Sequence, residues 1–464
     1  MTRFDPAQYD VFEYTSYAVE PASGTITCRY RLAGAGGALD FTEEFVVGPI
    51  DRRLWDGARG EAIRRVARLL WLAAGLSYWK AAAAPVVRVP SALTPAEQVW
   101  FEALYREGLG EFAFGNGIDL TQRPRFEVAA TTGGEAPLTG LGLPRRALVP
   151  VGGGKDSCVT IDVLQEAGQE LVLFNIGGHR SAREVAEACE LPLTVAARRL
   201  DPLIGELNAR GALNGHVPVT SIVSLVAIAQ ALVTGADHVV FSNERSANVA
   251  NFVHNGLPVN HQYSKGLDAE SRLRAALASV TPELEYYSLL RPLSELHIAE
   301  IFARSDRFLP VFTSCNAAFR LDHTRRVERW CASCPKCRFV FLALAPFVGR
   351  ERLVEIFGAD LLADADQLDG FRELVGLTGY KPFECVGEIE ESRVAVRLVA
   401  EAAGWAGAAV LDALRAELEA AGLAASNELV AAAFAPSAEH LLPPEAVEAL
   451  GAALDRVPSL GGAS

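Results

Sequence analysis

The spacing of hydrophobic and polar residues changes along the chain, and the first part of the chain has a pattern of its own. Over residues 25–47, β-forming residues alternate with polar ones on both sides of a glycine-rich turn, which predicts a β-hairpin. Over residues 59–76, apolar residues recur at helical spacing and predict an amphipathic helix. We therefore expect residues 1–144 to form an α+β N-terminal domain.

Short apolar runs separated by helical patterns dominate the middle of the chain. Residues 170–176 and 238–242 predict buried strands, and residues 220–234 predict a long apolar helix. Apolar strands that alternate with helices imply a parallel sheet with right-handed crossovers. We expect an α/β domain over residues 145–346, followed by a helical, Ala-, Glu- and Leu-rich region over residues 347–464.

A glycine-rich turn follows the first apolar run of the α/β domain and precedes a helical pattern. Its residues are Gly152, Gly153, Gly154, Lys155, Asp156 and Ser157. The bare glycine backbone and the N–H groups of the next helix favour an anion, so the turn predicts a phosphate site. It is not a Walker loop, because Val149 replaces the first glycine, and its adjacent glycines do not match the dinucleotide fingerprint. A plain strand-to-helix turn would seldom combine these residues.

Polar residues follow the strand predicted at 238–242. Asn243 and Glu244 come first, and the carboxylate of Glu244 suits Mg²⁺ or a ribose, whereas a solvated loop is the plain alternative. The run over residues 251–265 then collects many polar side chains with little filler, which favours a binding site. Its candidates for proton transfer or carboxylate binding are His261, Tyr263 and Lys265.

Four further positions are candidates because of their sequence neighbours. His216 precedes the long apolar helix. It either faces a nucleotide or is only part of the loop that leads into this helix. Cys385 can remove and return a proton at carbon, although a lone cysteine is more often inert packing. Tyr78 and Lys80 follow a glycine that breaks a helical pattern; they are candidate substrate contacts, with core packing as the alternative.

Four of the eight cysteines have the spacing of a metal site. Cys331, Cys334 and Cys337 lie in one short run, and Cys315 lies upstream of them. In a reducing compartment such spacing indicates a metal rather than disulfides. Structural zinc takes four ligands, so the first interpretation is a structural zinc ion and the second is an iron–sulfur cluster.

A basic cluster stands out in a chain whose formal net charge is −14. Arginine binds phosphate and carboxylate through paired hydrogen bonds, so this cluster is expected to receive ATP or an anionic substrate. Pairing with the surplus carboxylates is the alternative. The arginines concerned are Arg320, Arg325, Arg326 and Arg329.

The overall charge and the N-terminus exclude several classes of protein. An acidic chain without a basic tail argues against a general nucleic-acid surface. The first residues contain no apolar signal region, and the apolar helix at 220–234 is too short to cross a bilayer. We expect a cytoplasmic protein that binds neither nucleic acid nor membrane; the sequence leaves the oligomeric state open.

The glycine-rich turn resembles the Ser-Gly-Gly-x-Asp-Ser loop of the ATP pyrophosphatase (PP-loop) superfamily, with Gly152 in place of the first serine. The later runs Asn-Glu-Arg-Ser-Ala-Asn, Val-Asn-His-Gln-Tyr-Ser-Lys and Lys-Pro-Phe-Glu-Cys-Val-Gly-Glu narrow the choice. With them, nearly the whole chain resembles the UDP-N-acetylmuramoyl-L-alanyl-L-glutamate epimerase family. The cysteine arrangement also resembles the zinc site of the 7-cyano-7-deazaguanine synthase family.

The resemblance implies an ATP- and Mg²⁺-dependent inversion of the terminal L-Glu of a peptidoglycan precursor, a UDP-N-acetylmuramoyl dipeptide. Adenylation of the carboxylate would make the α-proton acidic, and hydrolysis would release AMP. The proton carriers stay open among His261, Lys265, His216 and Cys385. The alternatives are an ATP-dependent ligase or amidating enzyme and a PP-loop tRNA-modifying enzyme, although the acidic balance counts against the latter.

Overall fold

A computed structural model describes residues 3–129, 135–319, 324, 326–379 and 381–456. The strands in these ranges are β1 (Val11–Glu20), β2 (Thr25–Gly34), β3 (Gly37–Val46), β4 (Val86–Ala92), β5 (Arg125–Ala129), β6 (Ala147–Pro150), β7 (Leu171–Ile176), β8 (Leu193–Arg199), β9 (His238–Phe241), β10 (Phe252–His254), β11 (Leu257–Val259) and β12 (Glu285–Ser288).

The helices in the same ranges are α1 (Arg52–Trp55), α2 (Ala58–Ala74), α3 (Leu76–Trp79), α4 (Pro95–Arg106), α5 (Gly110–Asn116), α6 (Lys155–Glu166), α7 (Arg180–Ala188), α8 (Pro202–Ala209), α9 (Val219–Thr234), α10 (Leu267–Leu277), α11 (Glu295–Phe302), α12 (Pro335–Leu344), α13 (Arg350–Phe357), α14 (Leu368–Leu374), α15 (Ile389–Glu401), α16 (Ala409–Ala420), α17 (Asn427–Phe434) and α18 (Pro444–Leu454).

One mixed sheet of 10 strands runs through the molecule in the order β12-β9-β6-β7-β8-β3-β2-β1-β4-β5. The strands from β12 to β8 are parallel to one another, as the alternation of apolar strands and helices predicted. The predicted hairpin is confirmed, because β2 pairs antiparallel with β3 from Gly34 and Gly37 outward. Antiparallel pairing of β3 with β8 joins the hairpin to the parallel strands, which the sequence did not predict. The proposed domain boundaries at 144/145 and 346/347 stay predictions.

Helices cover this sheet and bury two apolar cores. The predicted amphipathic helix is α2, whose stripe of Ile63, Val66, Leu69 and Leu70 is completely buried. It packs along α9, which is apolar on most of its surface. The second core lies among α6, α11, α12 and the helices that follow, so the predicted helical character of the C-terminal region is confirmed.

Within the described ranges, every helix falls short of the length or the apolar character needed to cross a membrane.

Candidate functional site

A cavity of about 330 Å³ opens where the parallel strands β6, β7 and β9 end. Ligands in parallel sheets bind at this edge, beyond the carboxyl ends of the strands. Most of the residues predicted to bind a nucleotide surround it. The polar and glycine residues that line it include Gly152, Gly154, Asp156, Ser157, Asn175, Asn243 and Lys265.

The glycine loop connects β6 to α6 and takes a shape that requires glycine. Gly153 has φ +97°, and a Cβ atom there would lie 2.4 Å from the Cβ of Ser181. Its carbonyl accepts a hydrogen bond from the backbone N–H of Thr313 at 2.8 Å. Gly152 is open, with nothing within 4 Å of an added Cβ. Helix α6 begins directly after Gly154, so its first N–H groups are available to an anion.

Three carboxylates converge beside this loop. Oxygens of Asp156, Glu244 and Glu295 all lie within 4.8 Å of one another. Glu295 occupies the first position of α11 because Ser294 caps that helix by accepting a hydrogen bond from the N–H of His297. Oxygen ligands at this spacing fit Mg²⁺, which is commonly held by one or two carboxylates together with substrate phosphates.

Buried lysines balance part of this negative charge. The ammonium of Lys155 hydrogen-bonds Asp156 and Glu295, and its pKa rises despite burial because both carboxylates are close. Although burial opposes it, the charges of Lys155 and Lys336 lower the pKa of Glu295 to about 2. Burial and the charge of Glu295 raise the pKa of Glu244 to about 7. The ionised form of Glu244 is thus less stable than that of Glu295.

All four candidate proton carriers lie together. The Nζ atom of Lys265 lies 3.2 Å from the Sγ atom of Cys385. The imidazole of His261 also hydrogen-bonds this thiol, and its Nδ1 atom lies 2.5 Å from Oε2 of Glu111. The ring of His216 lies against that of His261, with the two centroids 4.5 Å apart. We refer to Glu111, His216, His261, Lys265 and Cys385 as the thiol site.

Charges within the thiol site favour an ionised thiol. Burial would raise the pKa of Cys385, but Lys265 and the His261 hydrogen bond lower it to about 6. Burial would lower the pKa of His261, yet its hydrogen bonds to Cys385 and Glu111 raise it to about 9. Near neutral pH the site therefore holds a thiolate between two cations, the arrangement that activates cysteine.

Lys80, at the end of α3, contacts the loop that carries His216. The Nζ atom of Lys80 lies 2.5 Å from Oδ1 of Asn214, and its charge reaches His216. Burial, followed by the positive charge of His261, lowers the pKa of His216 to about 4. His216 is accordingly neutral where His261 is charged.

Arg291 connects the carboxylate cluster to the thiol site. Its side chain is completely buried and donates to the carbonyl of Glu244 at 2.7 Å and to the carbonyl of Lys265. The carboxylate of Glu270 accepts from the same guanidinium at 3.0 Å. A single buried arginine therefore fixes the backbone at two functional positions.

The four predicted cysteines form a compact cluster at the start of α12. Their Sγ atoms lie 4.0 Å apart for Cys315 and Cys334, 3.7 Å for Cys331 and Cys337, and 3.5 Å for Cys334 and Cys337. Tetrahedral zinc with Zn–S bonds of about 2.3 Å places sulfurs about 3.8 Å apart. Backbone N–H groups of Cys331 and Cys337 also point at sulfurs of the cluster, each at 3.4 Å. The cluster can hold a zinc ion.

Two other predicted substrate contacts have interactions of their own. Tyr78 is completely buried between the rings of Tyr30 and Phe41, where it packs the N-terminal core. Tyr263 donates to Asp268 at 2.9 Å. The predicted role of each tyrosine in substrate binding stays untested.

The predicted arginine cluster is only partly within the described residues. Arg320 and Arg325 lie outside them. Arg329 lies 3.3 Å from a carboxylate oxygen of Glu184. Burial lowers the pKa of His179, and the positive charge of Arg326 lowers it further. Pairing of Arg329 with a carboxylate matches the alternative interpretation of this cluster.

Two functional carboxylates were missed in the sequence. Glu111 lies in a short aromatic-rich helix, and Glu295 follows a serine in an apolar segment. A Ser-Glu pair at the start of a helix was the available signal for Glu295. Only the fold brings Glu111 to His261, because 150 residues separate them along the chain.

Fold and site together define an α/β enzyme with a glycine-rich loop at the carboxyl ends of its parallel strands and a partly buried cysteine in contact with a lysine. Residues 3–289 match the MurL N-terminal domain family, and residues 311–429 match the MurL C-terminal domain. The chain belongs to the MurL family.

Three curated relatives match over nearly their full lengths, and each is named UDP-N-acetyl-alpha-D-muramoyl-L-alanyl-L-glutamate epimerase. The protein from Micromonospora sp. is 46% identical over 95% of this chain and 98% of its own. The relative from Salinispora tropica is 44% identical over 98% of both chains. That from Xanthomonas oryzae pv. oryzae is 42% identical over 96% of this chain and 97% of its own. The epimerase family predicted from the motifs is thereby confirmed.

Proposed function

We propose that this protein is an epimerase of peptidoglycan precursor synthesis, acting on UDP-N-acetyl-α-D-muramoyl-L-alanyl-L-glutamate, with Cys385 as one proton carrier. The names of its relatives support the reaction and the substrate. The contact of 3.2 Å between Cys385 and Lys265 carries the assignment of the proton carrier. Such a reaction, which uses a nucleotide-linked precursor, belongs in the cytoplasm.

An ionised thiol suits proton exchange at carbon. Its pKa of about 6 leaves Cys385 ionised near neutral pH, so it can accept a proton and release it again. Lys265 and His261 stabilise the thiolate, and Glu111 holds His261 in place. The proton at the glutamate α-carbon is nevertheless very weakly acidic while the neighbouring carboxylate is ionised, since removal would place two negative charges side by side.

ATP removes this obstacle in the proposed mechanism. An oxygen of the carboxylate next to the glutamate α-carbon attacks the α-phosphorus of ATP, and the bond between that phosphorus and pyrophosphate breaks. The acyl-adenylate then resembles an ester, so Cys385 can take the α-proton and leave an enolate. An acid on the opposite face returns a proton to the α-carbon. Water finally cleaves the acyl-adenylate to give AMP and the D-glutamate product.

The glycine loop and the carboxylate cluster are the proposed ATP site, in a sheet of the PP-loop type. The position of the loop at the carboxyl ends of the parallel strands supports this assignment, as do the free N–H groups of α6. Asp156, Glu244 and Glu295 would hold Mg²⁺, which shields the charge of the phosphates. In this role Asn243 lines the pocket and Lys155 orients two of the carboxylates.

The test incubates the full-length protein with the L-glutamate precursor, ATP and Mg²⁺ in D₂O, with no amine present. We expect D-glutamate product with deuterium at the α-carbon, together with AMP and pyrophosphate. A ligase or amidating enzyme would not turn over without an amine. Failure to find deuterium in either precursor or product contradicts the proposal.

Two cysteine variants can separate carboxylate activation from proton transfer. Cys385→Ala should retain ATP–pyrophosphate exchange with the precursor but lose deuterium incorporation by at least about a hundredfold. Cys189→Ala is the matched control, because Cys189 is also a free thiol but is buried at the end of α7, where its thiol donates to the carbonyl of Val185. Normal deuterium incorporation by Cys385→Ala would remove Cys385 from the mechanism.

A further inference from the structure

Two residues adjacent to cluster cysteines reach the loop that carries Cys385. Asn316 directly follows Cys315, and its Nδ2 atom donates to Oε2 of Glu384 at 2.6 Å. Lys336 lies between Cys334 and Cys337, and its ammonium donates to the backbone carbonyl of Cys385. The two contacts come from different segments, and the cysteine cluster joins these segments through Cys315 and Cys334.

The loop that carries Cys385 needs such support from outside. Residues 381–388 form neither helix nor strand, so no ladder of backbone hydrogen bonds holds them to a neighbouring element. Internal bonds are local, such as that from the N–H of Glu384 to the carbonyl of Pro382 at 2.8 Å. Side chains from other segments must therefore set where the thiol lies.

Ligation at the cluster would fix the direction of Lys336. Cys334 is the N-cap of α12 and accepts from the N–H of Cys337, so Lys336 lies on a turn with a cluster cysteine at each end. Its ammonium is buried and also lies 3.7 Å from Oε1 of Glu295. Lys336 thus connects the cluster to both the carboxylates and Cys385.

We propose that the four-cysteine centre positions the active site, with Asn316 and Lys336 as positioning residues that hold Glu384 and Cys385 against Lys265. This inference rests on the proposed role of Cys385. A metal at the cluster would order Asn316 and Lys336 together, and they would transmit that order to the thiol. The centre would then serve catalysis directly and not only the stability of the fold.

The test compares Asn316→Ala and Lys336→Gln with the wild-type chain. Three quantities are measured on each full-length protein: its zinc content, the rate at which iodoacetamide alkylates Cys385, and kcat and KM for the precursor. We expect both variants to keep zinc but to react at Cys385 several times more slowly. We also expect kcat to fall about tenfold with little change in KM, as for lost transition-state stabilisation.

Arg338→Gln is the matched control and Lys336→Arg the conservative variant. Arg338 follows Cys337 as Asn316 follows Cys315, but its side chain donates to Gln367 at 2.9 Å and not to the Cys385 loop. Arg338→Gln should match the wild-type chain in all three measurements. Lys336→Arg, which keeps a cation and a donor, should recover most of the alkylation rate.

Unchanged alkylation rates in both test variants overturn the inference, and so does slower alkylation found only together with loss of zinc. If Cys385→Ala is inactive while Asn316→Ala and Lys336→Gln behave as wild type, only the positioning role fails. If Cys385→Ala retains full activity, the proposed catalytic role of the thiol fails first.

Discussion

His216 and His261 lie with their ring centroids 4.5 Å apart, and their pKa values move in opposite directions, to about 4 and about 9. Burial lowers the pKa of both imidazoles, but Glu111 and Cys385 hydrogen-bond only one of the rings. Over the pH range in which the thiol ionises, a neutral histidine therefore lies in contact with a cationic one. This pair makes the pH dependence of the enzyme a sensitive test of the thiol site.

Glu111→Gln should shift the acid limb of the pH profile to higher pH. Loss of the carboxylate lowers the pKa of His261, so the imidazole becomes neutral at a lower pH than in the wild-type chain. Cys385 then has one cation fewer beside it, and its pKa rises from about 6. The measurement is kcat/KM against pH, in which the wild-type acid limb should lie near pH 6. Glu102→Gln breaks an ion pair with Arg106 but keeps an oxygen that can accept from Gln98, so it should leave the profile unchanged.

Lys265→Met should have a larger effect on the thiol than Glu111→Gln. After burial, which raises the pKa of Cys385, the charge of Lys265 is the strongest influence and lowers it. Without that charge the thiol is protonated near neutral pH, and we expect kcat to fall about a hundredfold. The pH dependence of Cys385 alkylation reports the change directly. An alkylation profile identical to wild type would show that Lys265 does not activate the thiol.

Adjacent residues of the glycine loop should respond differently to substitution by alanine. Gly153→Ala places a Cβ atom 2.4 Å from Ser181 on a backbone with φ +97°. Such strain costs about 1–3 kcal/mol, so urea-induced unfolding should occur at a lower concentration. Gly152→Ala meets nothing within 4 Å and should leave the unfolding midpoint unchanged, while it narrows the cavity and weakens ATP binding. Equal unfolding midpoints for the two variants would contradict the loop conformation.

Arg291→Met should destabilise the fold strongly. The substitution leaves the buried carboxylate of Glu270 without its cation, and loss of one partner of a buried pair costs about 3–5 kcal/mol. The measurement is the free energy of unfolding in urea. Arg415→Met is the control, because Arg415 makes a half-exposed pair with Glu419 at 4.0 Å. That exposed pair should contribute less than about 1 kcal/mol.

The sequence predicted elements that depend on local patterns. The hairpin of β2 and β3, the helix α2 and the turn at Gly152 follow from alternation, helical spacing and adjacent glycines, and all are present. The cysteine cluster was predictable because metal ligation imposes short spacings.

Relationships between distant segments were not predictable in the same way. Glu111 has no signal in its own segment, and its partner His261 is identified only by the fold. The sequence also placed Cys385 among several possible proton carriers, whereas the contact with Lys265 depends on two irregular loops. Tyr78 lies in an aromatic segment, where its burial reflects packing demands of the whole core.

Pairing between β3 and β8 limits how this chain can be divided for experiments. A fragment that starts after residue 144 would retain the parallel strands but lose the hairpin that covers β8. Strand β8 would then be an exposed edge with unpaired N–H and C=O groups, which can pair with other copies of the fragment. The exposed apolar face of α9, stripped of α2, would add to that tendency. Isolated fragments of this kind should therefore precipitate, and mechanistic work is best done on the intact polypeptide.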